Sequence, residues 1–364
     1  MFPWNVFSLN SICFNRRFLL LICALLFLLY AIVFGIPAES ENLLRHDRDT
    51  LLTLTTAATG NKDSAVFTDS GDDLAADAGV TLVDGVCTKG DPPWNRTWLL
   101  SQIKPFLRVF DRRPRDNILG TPLMHQFALW CVVRSLRPRH IVESGVLHGL
   151  GTWLLRQAAP QAQLILLDPT VNLQLAYEDR HNDTRYFTGH NFRDFSTLQH
   201  WSDVDIDFTR TLAFIDDHHT PLLRIAHARR VGIRHMIFED NYWLGFYDCF
   251  SLKQACACVM GWRECAHFKY KDAYGAQKRD LRYDDVIDSA AMFKNLSVYN
   301  EVPMLWDVWS PGVTMVSKQS RNYLIAEKNG SKVLHNFGLK NLPPESHMNG
   351  KYTYANIAYV KLTY

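Results

Sequence analysis

"LAFIDDHHTPLLRIAHARRVGIRHMIFEDNYW", residues Leu212–Trp243, decides how this chain folds. Its two apolar runs belong to the segments Arg210–Asp217 and Arg234–Asp240, and each run stops on acids: Asp216-Asp217 in the first, Glu239-Asp240 in the second. Between them "TPLLRIAHARRVG" reads as a helix, with Pro221 suited to its first turn and Gly232 to its end. Strand, helix, strand is the unit that builds parallel sheets. Runs apolar at successive positions, rather than alternating, belong to strands covered on both faces.

The same alternation extends towards the N-terminus. Met124–Leu136 reads as a helix stopped by Pro138, His140–Val146 as a strand and Leu150–Ala159 as a helix. Gln163–Pro169 and Thr184–His190 read as further strands. The expected fold class is α/β, with a doubly wound, mostly parallel sheet. The C-terminal "YTYANIAYVKLTY" alternates and is expected to close the sheet as an antiparallel strand, with "SPGVTMVS" or "NYLIAEK" as its partner. There is no internal repeat.

Across 364 residues, 47% are hydrophobic and 12% aromatic, enough for a packed core. The net charge of +2 offers no basic field, so no nucleic-acid partner is expected. The stretch at 18–36 carries no charge, follows Arg16 and Arg17, and precedes Glu39 and Glu41. It predicts a transmembrane signal anchor after a cytosolic tail at 1–17, in a single-pass type II membrane protein with its body in the ER or Golgi lumen or at the cell surface. A cleaved signal peptide ending near Ala38 is the rival reading. Residues 37–86, rich in Ser, Thr, Ala, Asp and Gly, read as a flexible stem, and 87–364 as the lumenal domain.

Sequons at Asn95, Asn182, Asn295 and Asn329 would make the chain a glycoprotein. Cys87, Cys131, Cys249, Cys256, Cys258 and Cys265 follow the apolar stretch. Four of them fall in an insert near 245–283, whose spacing lacks the close pairs of a zinc site, so disulfides or buried thiols are expected, with the pairing left open.

In doubly wound sheets, ligands bind beyond the carboxyl ends of the strands. Glu143, Gly145 and Gly149 follow one strand end, where glycines let a ligand approach and a helix N-terminus favours negative charge. Asp168 ends the next strand and is placed to accept ribose hydroxyls. Asp194 follows the third, with His190 and Asn191. The plain readings are a tight turn and helix caps.

Glu143-x-Gly145-x-x-x-Gly149, Asp168 and "FIDD" together resemble a class I S-adenosylmethionine-dependent methyltransferase, a Rossmann-like superfamily, over about Met124–Tyr242. Within it the chain is most similar to metal-dependent sugar and small-molecule O-methyltransferases and cephalosporin-hydroxylase-like proteins. The resemblance implies S-adenosylmethionine contacts at Glu143, Gly145, Gly149, Asp168 and Asp194. It implies a divalent cation, magnesium by preference, on Asp216, Glu239 and Asp240. Asp217, His218 and His219 fall to catalysis, with a histidine as general base. The acceptor would be a hydroxyl on a small molecule or glycan. Many relatives read Asp-Gly-Asp-His where this chain has Asp217 and His218 in the second and third places.

Two other readings stay open. Anchor, stem and α/β body are also the plan of Golgi glycosyltransferases, and "SDVDID" offers Asp203-x-Asp205 for a metal–sugar-nucleotide pair. A non-catalytic binding protein on the same fold is the third. In the plain reading, Asp216 and Asp217 cap the following helix, Glu239 and Asp240 are turn residues, His227 belongs to a solvated helix face and His235 to a strand start.

Overall fold

The structure is a computed structural model. It describes residues 76–83, 86–114, 121–171, 173–241, 251–260, 270–271, 278–279, 289–306, 323–327, 329–339 and 357–364. All of these lie within one compact unit, Thr53–Tyr364.

The chain opens with β1 (Thr81–Val83) and β2 (Val86–Lys89), followed by helices α1 (Arg96–Phe110) and α2 (Leu123–Leu136). Then come β3 (His140–Ser144), α3 (Leu150–Ala158), β4 (Gln163–Asp168) and β5 (Thr184–Thr188). Next are β6 (Thr211–Ile215), α4 (Pro221–Val231), β7 (His235–Phe238) and α5 (Leu252–Val259). A short ribbon, β8 (Tyr270–Lys271) with β9 (Lys278–Arg279), precedes α6 (Ser289–Lys294) and β10 (Leu296–Glu301). The described chain ends with β11 (Met304–Trp306), β12 (Tyr323–Ile325), α7 (Gly330–Asn336) and β13 (Ala358–Leu362).

Nine strands form one sheet in the order β1-β2-β10-β13-β7-β6-β3-β4-β5. From β7 to β5 all neighbours are parallel. From β1 to β7 all are antiparallel. The expected parallel sheet is there from β7 to β5, with an antiparallel half added to it. Its antiparallel half recruits segments from both ends of the described chain, and hairpin-type pairing needs no helical crossover.

The expected membrane element is corrected. Among the described residues no helix is long and apolar enough to cross a membrane. The stretch at 18–36 lies outside them. The fold is a mixed α/β sheet, and no described element carries the anchor that the type II placement requires.

Strand residues alternate between two cores, as a period of two requires. Ile141, Leu164, Leu166, Leu212, Phe214, Ile237 and Tyr359 face the core that holds α1, α2 and α3. Val142, Ile165, Leu167, Ala213, Ile215, Met236, Phe238 and Val360 face the core that holds α4, α5 and α6. Covering both faces explains why the parallel strands read as unbroken apolar runs. One crossover departs from the doubly wound pattern: the described residues of 169–183, joining β4 to β5, form no helix. Buried Arg156 of α3 holds this strap, donating to Asp179 at 2.9 Å and to Asp183 and Thr184 at 3.0 Å.

The C-terminal strand β13 forms, but it lies inside the sheet between β7 and β10 instead of closing an edge. Tyr323–Ile325 of "NYLIAEK" pairs with β11 in a separate two-stranded sheet, and "SPGVTMVS" lies outside the described residues. Within the expected stem, β1 joins the sheet and Ala78 and Val80 are buried. In the Cys-rich insert, α5 packs its Leu252, Ala255, Cys256 and Val259 into the core. Cys87 is bonded to Cys256, Cys258 is also disulfide-bonded, and Cys131 is a buried free thiol. That chemistry removes Cys256 and Cys258 as zinc thiolates.

The Cys87–Cys256 bridge closes a span of 169 residues between β2 and α5. Chain entropy assigns such a span about 5 kcal/mol of stabilisation. C87A/C256A is expected to unfold at clearly lower urea concentration than wild type, and reductant is expected to shift wild type towards the variant. Coincident unfolding curves would refute this.

Candidate functional site: a three-carboxylate centre at the strand tips

The strand order reverses beside β3: the chain steps outward to β4 and β5, then returns to β6 on the other flank. The crevice at such a reversal lies at the carboxyl ends of β3 and β6. The ladder runs one residue beyond the strands there. Gly145 N donates to Leu167 O at 2.9 Å, Asp216 N to Ser144 O at 2.8 Å and Glu239 N to Ile215 O at 3.0 Å. Four neighbouring tips are thereby held in register. Gly145 makes the close approach feasible: its φ is +96°, and a Cβ there would overlap the carbonyl oxygen of Asp216.

Asp216, Glu239 and Asp240 each offer an oxygen, and these oxygens lie within 4.8 Å of one another. Glu239 and Asp240 are buried. Asp216 is half-buried at the boundary. Burial first, then the charges of Glu239 and Asp240, holds the Asp216 carboxyl well above the carboxylate range. Burial and Asp240 do the same to Glu239. Nearby His218 opposes both shifts. Such a group favours either a shared proton or a bound cation.

Two histidines reach the carboxylates. His218, exposed and in the left-handed region at φ +58°, places Nδ1 at 3.5 Å from Asp240 Oδ2. His125 of α2, buried, places Nδ1 at 2.6 Å from Glu239 Oε1.

The loop after β6 is braced from below. Asp217 accepts from Ser144 Oγ at 2.6 Å and from the His219 amide at 3.1 Å, and pairs with Arg224 at 2.8 Å. Arg224, 2% exposed, also forks onto both oxygens of Asp194 at 2.9 and 3.0 Å. Burial would raise the Asp194 carboxyl, but the Arg224 charge and the hydrogen bonds from Arg224 and Ser196 together outweigh it and hold the group well below the usual range. Asp217 and Asp194 are thus bound to one guanidinium. Asp194 also caps the 3-10 turn Phe195–His200.

The glycine turn is ordered by Asp168, whose Oδ2 accepts from the amides of Val146 and Leu147 at 2.9 and 3.0 Å and whose Oδ1 accepts from Thr170 N at 2.8 Å. These bonds, against the opposing effect of burial, lower its pKa. Gly149, at φ +84°, faces the Tyr177 carbonyl of the strap. Glu143 is turned inward: it accepts from Thr152 Oγ1 at 2.6 Å, and burial pushes its pKa up to about 8 despite that bond. A cavity of about 490 Å³ lies along the strap, lined by Leu173, Leu175, Ala176, Tyr177, Glu178 and Arg180, and none of the three clustered carboxylates lines it.

Sequence reasoning missed His125, Arg224, Ser144 and Thr152. His125 and its partner are 114 residues apart, and nothing local signals the pair. His227, expected on a solvated face, is buried. His235 begins β7 as expected; its Nδ1 lies 2.8 Å from Tyr359 Oη, and burial, then Lys361 and Arg234, lowers its pKa to about 4. Asp203, Asp205 and Asp207 precede β6, and Asp205 and Asp207 lie near His140 at the start of β3, away from the cluster. Asp203 forks with Arg193 at 2.6 and 2.7 Å. No family model matches the chain, and no curated protein does. A solved structure, cofactor-bound Rv0187 from MTB, is similar at 20% identity over 47% of this chain and 73% of its own, with a TM-score of 0.24.

Two outcomes are expected. R224M leaves two carboxylates without their cation, and should lose about 3–5 kcal/mol in denaturant unfolding; a loss under about 1 kcal/mol would refute the bracing role. The raised pKa of Glu143 favours the fold at low pH, and that contribution is lost as pH rises from 4.5 towards about 8. E143Q should remove up to about 1.4 kcal/mol per pH unit of that decline. Parallel stability–pH curves for the two proteins would count against it.

Proposed function

We propose that this chain is a divalent-cation-dependent O-methyltransferase, moving a methyl group from S-adenosylmethionine to a hydroxyl of a small molecule or glycan. The observation that carries the reading is the clustering of Asp216, Glu239 and Asp240 at the tips of adjacent parallel strands, beside the glycine turn. The donor set is all oxygen and tightly packed, which suits a hard cation such as magnesium. Asp216, Glu239 and Asp240 would hold it. Once bound, the cation supplies Lewis acidity that lowers the pKa of an acceptor hydroxyl.

For the methyl donor, the fit rests on Asp168. A carboxylate offers about four acceptor sites, and three are filled by backbone amides, two on Oδ2 and one on Oδ1. The Thr170 side chain also bonds this carboxylate, so a ribose hydroxyl would take that hydroxyl's place. Glu143, 1% exposed and bonded to Thr152, instead anchors α3 to the turn. Asp168, by holding the amides of Val146 and Leu147, keeps the turn in one conformation before a ligand arrives.

His218 stands at the mouth of the centre and takes the acceptor's proton. The acceptor oxygen then forms its bond to the methyl carbon as the sulfur–methyl bond breaks, and the sulfur keeps the electron pair. Asp217 serves as a brace through Ser144 and Arg224. The glycosyltransferase reading is disfavoured because Asp203 is committed to a fork with Arg193. A non-catalytic binding role is an outcome of the test.

The test is calorimetric titration of the full chain with Mg²⁺ or Mn²⁺, and then with S-adenosylmethionine or a sugar nucleotide, with and without the cation. Cation binding that D216N, E239Q and D240N each abolish, and methyl-donor binding lost in D168A, are expected. A folded wild type that binds no cation overturns the metal centre. Binding of a sugar nucleotide in place of the methyl donor overturns the transfer chemistry. Cation and methyl-donor binding without methyl transfer to any of a panel of hydroxyl acceptors would favour the binding-protein reading.

A further inference from the structure

The proposal concerns the far side of Glu239, and it rests on the reading of the three-carboxylate centre as a cation site. Helix α2 begins after Pro122, and its residues Leu123 to Val133 are all buried. A histidine in such surroundings loses its hydration, and that loss must be offset by a partner. His125 is 3% exposed, and the partner its Nδ1 faces is Glu239 Oε1, at 2.6 Å. Its ring nitrogens lie outside the set of atoms that share the 4.8 Å cluster, which comprises Asp216, Glu239 and Asp240 alone among the described residues. His125 therefore touches the centre from behind one carboxylate.

We propose that His125 is a positioning residue of the centre, its Nδ1–H fixing the Glu239 carboxylate in the orientation that binds a divalent cation. An ionised carboxylate only accepts hydrogen bonds, so in that state the imidazole Nδ1 carries the proton and donates. A glutamate side chain has three rotatable torsions, and holding it in one rotamer removes an ordering cost that cation binding would otherwise meet. The brace comes from a different layer than the cluster: α2 packs in the core on one sheet face, while Asp216 and Glu239 extend from β6 and β7. The centre is thus fixed from the strands by backbone ladder bonds and from the helix by one side chain. Partners one step removed from a metal commonly alter its affinity by about 10–100-fold.

The experiment is Mn²⁺ titration of the full chain by calorimetry and by electron paramagnetic resonance, in wild type, H125F, H125Q and E239Q. H125F fills the space without a donor, whereas H125Q retains an N–H. H125F is expected to weaken Mn²⁺ binding about 10–100-fold, H125Q to recover most of the loss, and E239Q to abolish binding. Thermal melting without Mn²⁺ reports whether each variant folds, and the H125F–H125Q difference is the readout that bulk and packing alone would not produce. Wild-type affinity in folded H125F, or equal weakness in H125F and H125Q, overturns the positioning role while leaving the cation centre standing. A wild type that binds no Mn²⁺ overturns both.

Discussion

Three carboxyl groups enclosed at the ends of two neighbouring strands repel one another wherever water cannot screen them. Removing even one ionised carboxylate from water costs several kcal/mol in a real protein, and here the oxygens lie within 4.8 Å of each other. Nothing in the strands themselves relieves this. The guanidinium nearby, Arg224, is bound to Asp217 and Asp194. A stable fold that keeps such a cluster has to neutralise it with protons or with a cation. The raised pKa of Asp216 and of Glu239 expresses the first solution, and the all-oxygen donor set suits the second.

Much of the surrounding structure serves to keep that cluster from spreading. Gly145 allows β3 and β6 to exit in contact, and the ladder bonds after Ser144 and Ile215 fix where Asp216 and Glu239 begin. Asp217, the neighbour of Asp216, is pinned by Ser144 and Arg224, so the loop bearing His218 departs from a fixed point. His218 then takes a left-handed conformation that ordinary residues avoid. Strain at such a residue persists only where its surroundings over-determine it, and the Asp217 bonds on one side and the buried Thr220 on the other provide that.

The parallel half of this architecture was legible because its signals are local. Apolar runs covered on both faces, with Gly and Pro between them, mark β3 to β7 to within a residue or two at most ends. The convergence of Asp216, Glu239 and Asp240 follows from the same reading, since parallel strands in register present their ends together. Of the antiparallel half, the C-terminal strand was legible and its partners were not. β13 pairs with β7 and β10, and β10 pairs with β2, contacts that sequence separation hides and that alternation alone does not address. The strap at 169–183 gave no periodic signal for a related reason. A parallel crossover is usually helical, and here Arg156 holds an extended one by side-chain bonds that have no periodicity. His227 looked like a solvated helix position because its polarity is visible in the sequence and its burial is not.

The antiparallel half also supports the centre from a direction the parallel strands cannot. Asn241 follows Asp240, and its Oδ1 accepts from the Lys253 amide at the start of α5 at 2.9 Å. Tyr299 of β10 donates to Glu301 at 2.9 Å, and Glu301 pairs with the Lys253 ammonium at 2.8 Å, all of them buried. Further along the same helix, Cys256 is bonded to Cys87 of β2. The turn that carries Asp240 is therefore tied to α5, and α5 is tied to β10 by charge and to β2 by a covalent bond. A buried ion pair is weak evidence for net stability, but it has few alternative geometries, because breaking it leaves a bare charge in the core. That property makes it a suitable mooring for a carboxylate whose position matters more than its energy, and it gives the added strands a part in the geometry of the parallel strand tips.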